Sequence, residues 1–164
     1  MFTSISGAKG LKVLYAGNGV SHYVLAFICF CFRQPAMMRR LSKRKQSGDP
    51  TISRLAQGDL WHHDIMGYLG VMNSSLALLA FVRLFNLMWP SKYFSTGSAE
   101  GDAPLDTMAL LVLGLANFSQ AFMNFSTGLR ANRWIMGKGL DRITVLDLLF
   151  TVLDWAAVIG NMSS

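Results

Sequence analysis

Four long apolar runs constrain this chain more than any other feature of its sequence. About 20 apolar residues are enough to cross the hydrocarbon layer of a bilayer as an α-helix, and runs of that length lie at about residues 11–32, 65–88, 105–129 and 143–161. Of the 164 residues, 52% are hydrophobic and only 15% are charged. We therefore predict an all-α fold, an integral membrane four-helix bundle, with residues 1–164 forming a single transmembrane domain.

The basic residues are concentrated in two of the loops between these runs. Residues 33–60 contain seven Lys and Arg, the loop after the third run contains four, and the loop between the second and third runs contains only Lys92. Short loops rich in Lys and Arg remain in the cytosol. We expect residues 33–60 to form a basic cytosolic loop and both chain ends to be luminal. Because this pattern accounts for the net charge of +6, we expect membrane lipids as partners and no nucleic acid.

Polar side chains recur within the apolar runs, where they are rare and usually face the interior of a helix bundle. The fourth run carries Asp147, Thr151 and Asp154 on one helical face. The third run carries amides on one face: Asn117, Gln120 and Asn124. Because a short loop makes the third and fourth helices neighbours, we predict that these two faces meet.

The depth of each polar group follows from the helical rise of about 1.5 Å per residue. Measured from the predicted cytosolic ends, His22 and Asp154 both lie at about 15–16 Å. A histidine and an aspartate at one level could form a pair. Alternatively, the polar groups could serve only as hydrogen bonds that join the helices.

An acid–base role for these groups defines the candidate site residues. Asp154 or Asp147 would be the catalytic acid and His22 its partner. The substrate-binding residues would be Asn117, Gln120, Asn124, Asn73 and Thr151.

The sequence favours neither a metal site nor a bound cofactor. Trp61, His62, His63 and Asp64 are consecutive at the start of the second run, but adjacent histidines point to different faces of a helix. Interfacial anchoring through Trp61 is the favoured interpretation. Cys29 and Cys31, two residues apart in one helix, also face different directions. We predict no metal, no cofactor and no disulfide.

Three segments carry a family resemblance. The first is Ala16-Gly17-Asn18 followed by Ser21 and Tyr23, the second is a helix with Ser74-Ser75 and a later Arg83, and the third is Leu115 to Gly128. Together these segments resemble the small four-span endoplasmic-reticulum family that tethers ergosterol-biosynthesis enzymes, over about half of the chain. A histidine and a glutamate of the family's third helix are replaced here by Asn117 and a Gln/Ala pair, and the fourth helix carries two additional aspartates.

Two functions from different classes follow. The resemblance implies a small endoplasmic-reticulum scaffold or accessory protein for lipid, sterol or isoprenoid biosynthesis, with membrane-bound biosynthetic enzymes as partners. The absence of a phosphate loop, an HExxH motif and a nucleophile elbow agrees with a non-catalytic role. The alternative is an intramembrane enzyme of the cyclase or isomerase type, which would act on an apolar isoprenoid or polyketide-like substrate through the buried Asp/His pair.

Overall fold

A computed structural model describes residues 7–36, 60–131 and 142–163. Its long helices are α1 (Ala8–Phe32), α2 (Leu60–Met88), α3 (Ala99–Ala131) and α4 (Arg142–Met162). All four contain a segment long and apolar enough to cross a bilayer, which confirms the predicted all-α membrane bundle. Most of the basic cytosolic loop predicted at residues 33–60, and the whole loop between α3 and α4, lie outside the described residues.

Helix α1 changes its hydrogen-bonding pattern in the middle. Ala8–Tyr15 and Val24–Phe32 are α-helical, whereas Ala16–Tyr23 is π-helical, and the N–H of Val24 donates to the carbonyl of Gly19. Gly17 and Gly19 weaken the α-helix here because glycine has low helix propensity. Gly19 also packs so closely on Ala80 of α2 that an added Cβ would overlap the Ala80 Cβ. Such π segments are rare and often coincide with functional sites.

Helix α3 begins at Ala99 rather than near Leu105, so it includes Pro104. The first turn carries Glu100 and Asp102, and acidic side chains there interact favourably with the helix dipole. Asp102 accepts hydrogen bonds from the Thr96 backbone N–H at 2.6 Å and from the Ser95 hydroxyl at 2.7 Å. These contacts fix the start of the helix, and Pro104, five residues further on, has no backbone N–H to donate within it.

The helices form two closely packed pairs, α1 with α2 and α3 with α4, whereas α2 and α3 approach each other at only a few positions. Small residues allow close contact between membrane helices; Gly70 lies against Cys31, and Gly114 lies against Trp155 and Asp154. The buried apolar core includes Leu11, Leu14, Ala77, Ala80, Ala109, Leu110, Leu113, Ala157 and Val158.

Large apolar side chains cover the outside of the bundle. Phe81, Leu115, Phe122 and Val152 are each more than half exposed. In water, an apolar surface this extensive would mark an interface; in a bilayer it is the surface that contacts lipid. Polar residues are instead concentrated between the helices.

Candidate functional site

A central polar cluster joins α1, α3 and α4. Asn18 donates through Nδ2 to Asp154 Oδ2 at 2.7 Å. Asn117 donates through Nδ2 to Asn18 Oδ1 at 3.2 Å and to Asp154 Oδ2 at 3.4 Å, and it accepts from the Tyr23 hydroxyl at 2.9 Å. These four residues are fully buried, so the polar groups that form these hydrogen bonds pair with one another instead of with water.

The π-helical segment explains how α1 supplies two members of this cluster. In a regular α-helix Asn18 and Tyr23 would point about 140° apart, since 3.6 residues make one turn. Hydrogen bonds between residues five apart widen the turn and bring both side chains to Asn117. Tyr23 was not among the predicted site residues, because an α-helical projection places it away from Asn18.

His22 pairs with Asp147, the aspartate nearer the start of α4. The distance from His22 Nε2 to Asp147 Oδ1 is 2.9 Å, and the two side chains are 10% and 0% exposed. The estimated depths had matched His22 with Asp154, whose contacts are instead with Asn18 and Asn117. Depth along each helix ignores the crossing angles between helices and the π-helical turn, and these two factors determine which aspartate each residue reaches.

The other predicted substrate-binding residues lie apart from these contacts. Thr151 is buried and donates to the Asp147 carbonyl of its own helix at 2.7 Å. Asn73 is buried in α2 and donates to the Leu69 carbonyl, again within its own helix. Gln120 and Asn124 are half-buried and take no part in the central cluster. Of the predicted amide face of α3, the structure brings only Asn117 to Asp154.

A second buried cluster lies nearer the end of the bundle that carries the 89–98 segment. Arg83 Nε and the Tyr15 hydroxyl both donate to Asp106 Oδ1, each at 2.8 Å. Arg83 Nη1 also donates to the Phe94 carbonyl at 3.0 Å. Asp106 and Tyr15 are not among the site residues that the sequence pattern predicts. The depth of the charged residues in the membrane could have identified the Arg83–Asp106 pair. Arg83 near the end of α2 and Asp106 near the start of α3 lie at the same end of the bundle.

Most side-chain contacts of the two clusters connect the α1/α2 pair to the α3/α4 pair. Asn18, His22 and Tyr23 of α1 reach Asp154, Asp147 and Asn117, while Tyr15 and Arg83 both reach Asp106. A charge in a bilayer that faces a neighbouring helix avoids the cost of exposure to lipid. The polar side chains therefore link the two helix pairs.

A catalytic role for the central cluster would require that a substrate can reach its side chains. Asp154 Oδ1 is buried and has no hydrogen-bond partner among the described residues. Two grooves formed by described residues, of about 690 and 600 Å³, include neither aspartate of α4 nor His22 in their walls. Within the described ranges, no three His, Cys, Asp or Glu residues are grouped so as to hold a metal ion.

The fold and the two clusters define an integral membrane four-helix bundle whose helix pairs are joined by buried polar side chains. Comparisons with protein-family models, with curated proteins and with solved structures find no match to this chain.

Proposed function

We propose that this protein is a non-catalytic scaffold or accessory protein for lipid, sterol or isoprenoid biosynthesis. It resides in the endoplasmic-reticulum membrane with both chain ends luminal, and membrane-bound biosynthetic enzymes are its partners. One observation carries the non-catalytic assignment: Asp154, Asn18 and Asn117 are fully buried in contacts between helices.

Access to substrate separates a structural role from a catalytic one. A general acid must lie within hydrogen-bonding distance of the atom that it protonates. A substrate that reached Asp154 would have to displace side chains of three helices, because the residue is 0% exposed. Hydrogen bonds between membrane helices also contribute to association without any chemistry. Burial and mutual hydrogen bonding thus support the structural role.

The proposed biosynthetic pathway and the proposed membrane orientation are supported by the sequence, not by the central cluster. The resemblance of the Ala16–Tyr23, Ser74–Arg83 and Leu115–Gly128 segments to the four-span endoplasmic-reticulum family indicates sterol or related lipid biosynthesis. The concentration of Lys and Arg in two loops favours luminal chain ends. The apolar outer faces of the helices are surfaces on which membrane-embedded enzymes can pack.

A second candidate function, an intramembrane cyclase or isomerase, is favoured by one specific observation. Asp154 Oδ1 is buried without a hydrogen-bond partner in the described part of the chain. In this candidate, that oxygen carries the proton transferred to an apolar substrate, and the nearby His22–Asp147 pair takes part in returning it.

The test compares protein abundance and pathway output after deletion of the gene and its replacement by variants. Asp154→Asn retains an oxygen that accepts from Asn18, so a scaffold keeps its abundance and its output. His22→Gln is the second variant, and Asp64→Asn, at an exposed aspartate, is the matched control.

For an enzyme, normal abundance of Asp154→Asn accompanies a loss of output of about 10²–10⁴-fold, the usual contribution of a general acid. A scaffold predicts a further effect: deletion lowers proximity labelling between two pathway enzymes while each retains its activity in isolated membranes. Unchanged labelling together with lost Asp154→Asn output would reject the scaffold in favour of the enzyme.

A further inference from the structure

A lateral groove separates α2 from α3 because these helices approach each other at only a few positions. Its volume is about 600 Å³, within the range of about 300–1,000 Å³ typical of small-molecule sites. The walls are mostly apolar and include Leu78, Val82, Leu105 and Val112, and Phe94 of the connecting segment also contributes. Leu78 and Val112 are 62% and 44% exposed, so the groove opens towards lipid.

Arg83 lines this groove and has an unused hydrogen-bond donor. Its Nε is paired with Asp106 and its Nη1 with the Phe94 carbonyl. Its Nη2 is buried and has no hydrogen-bond partner among the described residues. The whole residue is only 5% exposed, and it forms part of the groove wall. A buried donor without an acceptor is costly. An acceptor atom supplied by a ligand in the groove would satisfy it.

The groove is oriented as a lipid is oriented in a bilayer leaflet. Arg83 lies five residues before the end of α2 at Met88, which places it about 7–8 Å inside the helix end. The groove continues along α2 to Ser75, about 12 Å deeper towards the middle of the span. The charged end at Arg83 is therefore near the membrane surface, and the mostly apolar walls extend inwards from it to Ser75.

The charge at the polar end indicates what kind of head group fits. Asp106 lies 2.8 Å from Arg83 Nε, so the positive charge of the guanidinium is already neutralised. An anionic head group would place a second negative charge beside Asp106, whereas a neutral oxygen would accept from Nη2 without that repulsion. The head group that fits beside Arg83 therefore has a hydrogen-bond acceptor and no net charge.

We propose that the α2/α3 groove binds a neutral lipid. Its hydroxyl or carbonyl oxygen accepts a hydrogen bond from Arg83 Nη2, and its apolar body lies along Leu78, Val82, Leu105 and Val112. This proposal does not depend on the scaffold function, because it concerns a different surface from the central Asp154 cluster.

The experiment uses the full chain in phosphatidylcholine nanodiscs and a hexadecanol analogue with a photoreactive diazirine in its chain. Peptide mass spectrometry locates the label, which is expected on the groove walls of α2 and α3. Excess hexadecanol should compete for labelling about tenfold more strongly than hexadecane, because only the alcohol supplies a hydrogen-bond acceptor.

A matched pair of variants tests the location. Leu78→Trp fills the groove and should abolish labelling of its walls. Leu115→Trp adds the same bulk on α3 at a residue that is not part of the groove wall; Leu78 and Leu115 are similarly exposed, at 62% and 60%, and labelling of the control variant should be unchanged.

Four outcomes would overturn the proposal. Equal competition by hexadecane would show that Arg83 recognises no acceptor, and stronger competition by hexadecanoate would show that the head group is anionic. Label spread evenly over all lipid-facing helices would mean that no site exists. Label absent from the groove while other lipid-facing surfaces are labelled would show that the groove does not bind the lipid.

Discussion

Asn18 of α1 donates to Asp154 of α4 over 2.7 Å, and Asn117 of α3 donates to the same carboxylate oxygen over 3.4 Å. One buried oxygen thus connects three helices: it is the acceptor for the Asn18 amide and one of two acceptors for the Asn117 amide, which also donates to Asn18 Oδ1. This arrangement makes the oxygen, more than the negative charge, the important feature of Asp154 for stability.

Replacement of Asp154 should therefore distinguish the contribution of its acceptor oxygen to stability from that of its negative charge. Asp154→Ala leaves the buried donors of Asn18 and Asn117 without this acceptor and should lower the free energy of unfolding by about 1–3 kcal/mol. Asp154→Asn keeps one acceptor oxygen and should lie within about 1 kcal/mol of the wild type. Reversible unfolding in detergent micelles measures both. Equal destabilisation by the two variants would contradict this explanation.

The Arg83–Asp106 pair should behave as a coupled unit. Arg83→Met leaves Asp106 without its cation in a buried position and should cost about 3–5 kcal/mol, as should Asp106→Leu. The double variant removes both charges and should recover most of that loss, because apolar replacement of a whole buried pair is close to neutral. A double-mutant cycle on the free energy of unfolding measures the coupling, and additive losses would show that the pair does not interact.

Gly19 should tolerate no side chain where α1 meets α2. A methyl group there would overlap the Cβ of Ala80, and Gly19→Ala should cost about 1–3 kcal/mol through overpacking. Gly67→Ala is the control, since nothing lies within 4 Å of an added Cβ at that position. That variant should be neutral or more stable by up to about 1 kcal/mol, because alanine favours the helix. Thermal unfolding of both proteins tests the contrast, and similar behaviour would refute the close approach.

The orientation in the membrane can be tested with single cysteines. In a background with Cys29→Ala and Cys31→Ala, cysteines at Ser42 and Ser98 should react with impermeant reagents from opposite sides of sealed vesicles. The expectation follows from the seven Lys and Arg in residues 33–60 and the single Lys92 between the second and third runs. Labelling of both cysteines from the same side would contradict the four-span topology.

Sequence patterns identified most of the residues that the structure brings together, but they did not identify the pairs. His22, Asn117, Asp147 and Asp154 are recognisable because polar groups are rare in apolar runs. Their partners depended on the π-helical turn of Ala16–Tyr23, which moves Tyr23 to Asn117. A projection at 3.6 residues per turn cannot anticipate that turn. Asp106 is not among the predicted site residues because the predicted start of the third helix places it at the boundary of the span.

The sequence alone determined that this protein is a four-helix membrane bundle, because each apolar run must form a helix to satisfy its backbone hydrogen bonds in lipid. Only the tertiary structure decided that His22 meets Asp147 and that Arg83 meets Asp106. It also decided that α2 and α3 part to leave a groove beside Arg83. Hydrophobic periodicity constrains which faces avoid lipid, whereas pairing depends on crossing angles and close approach at small residues such as Gly19.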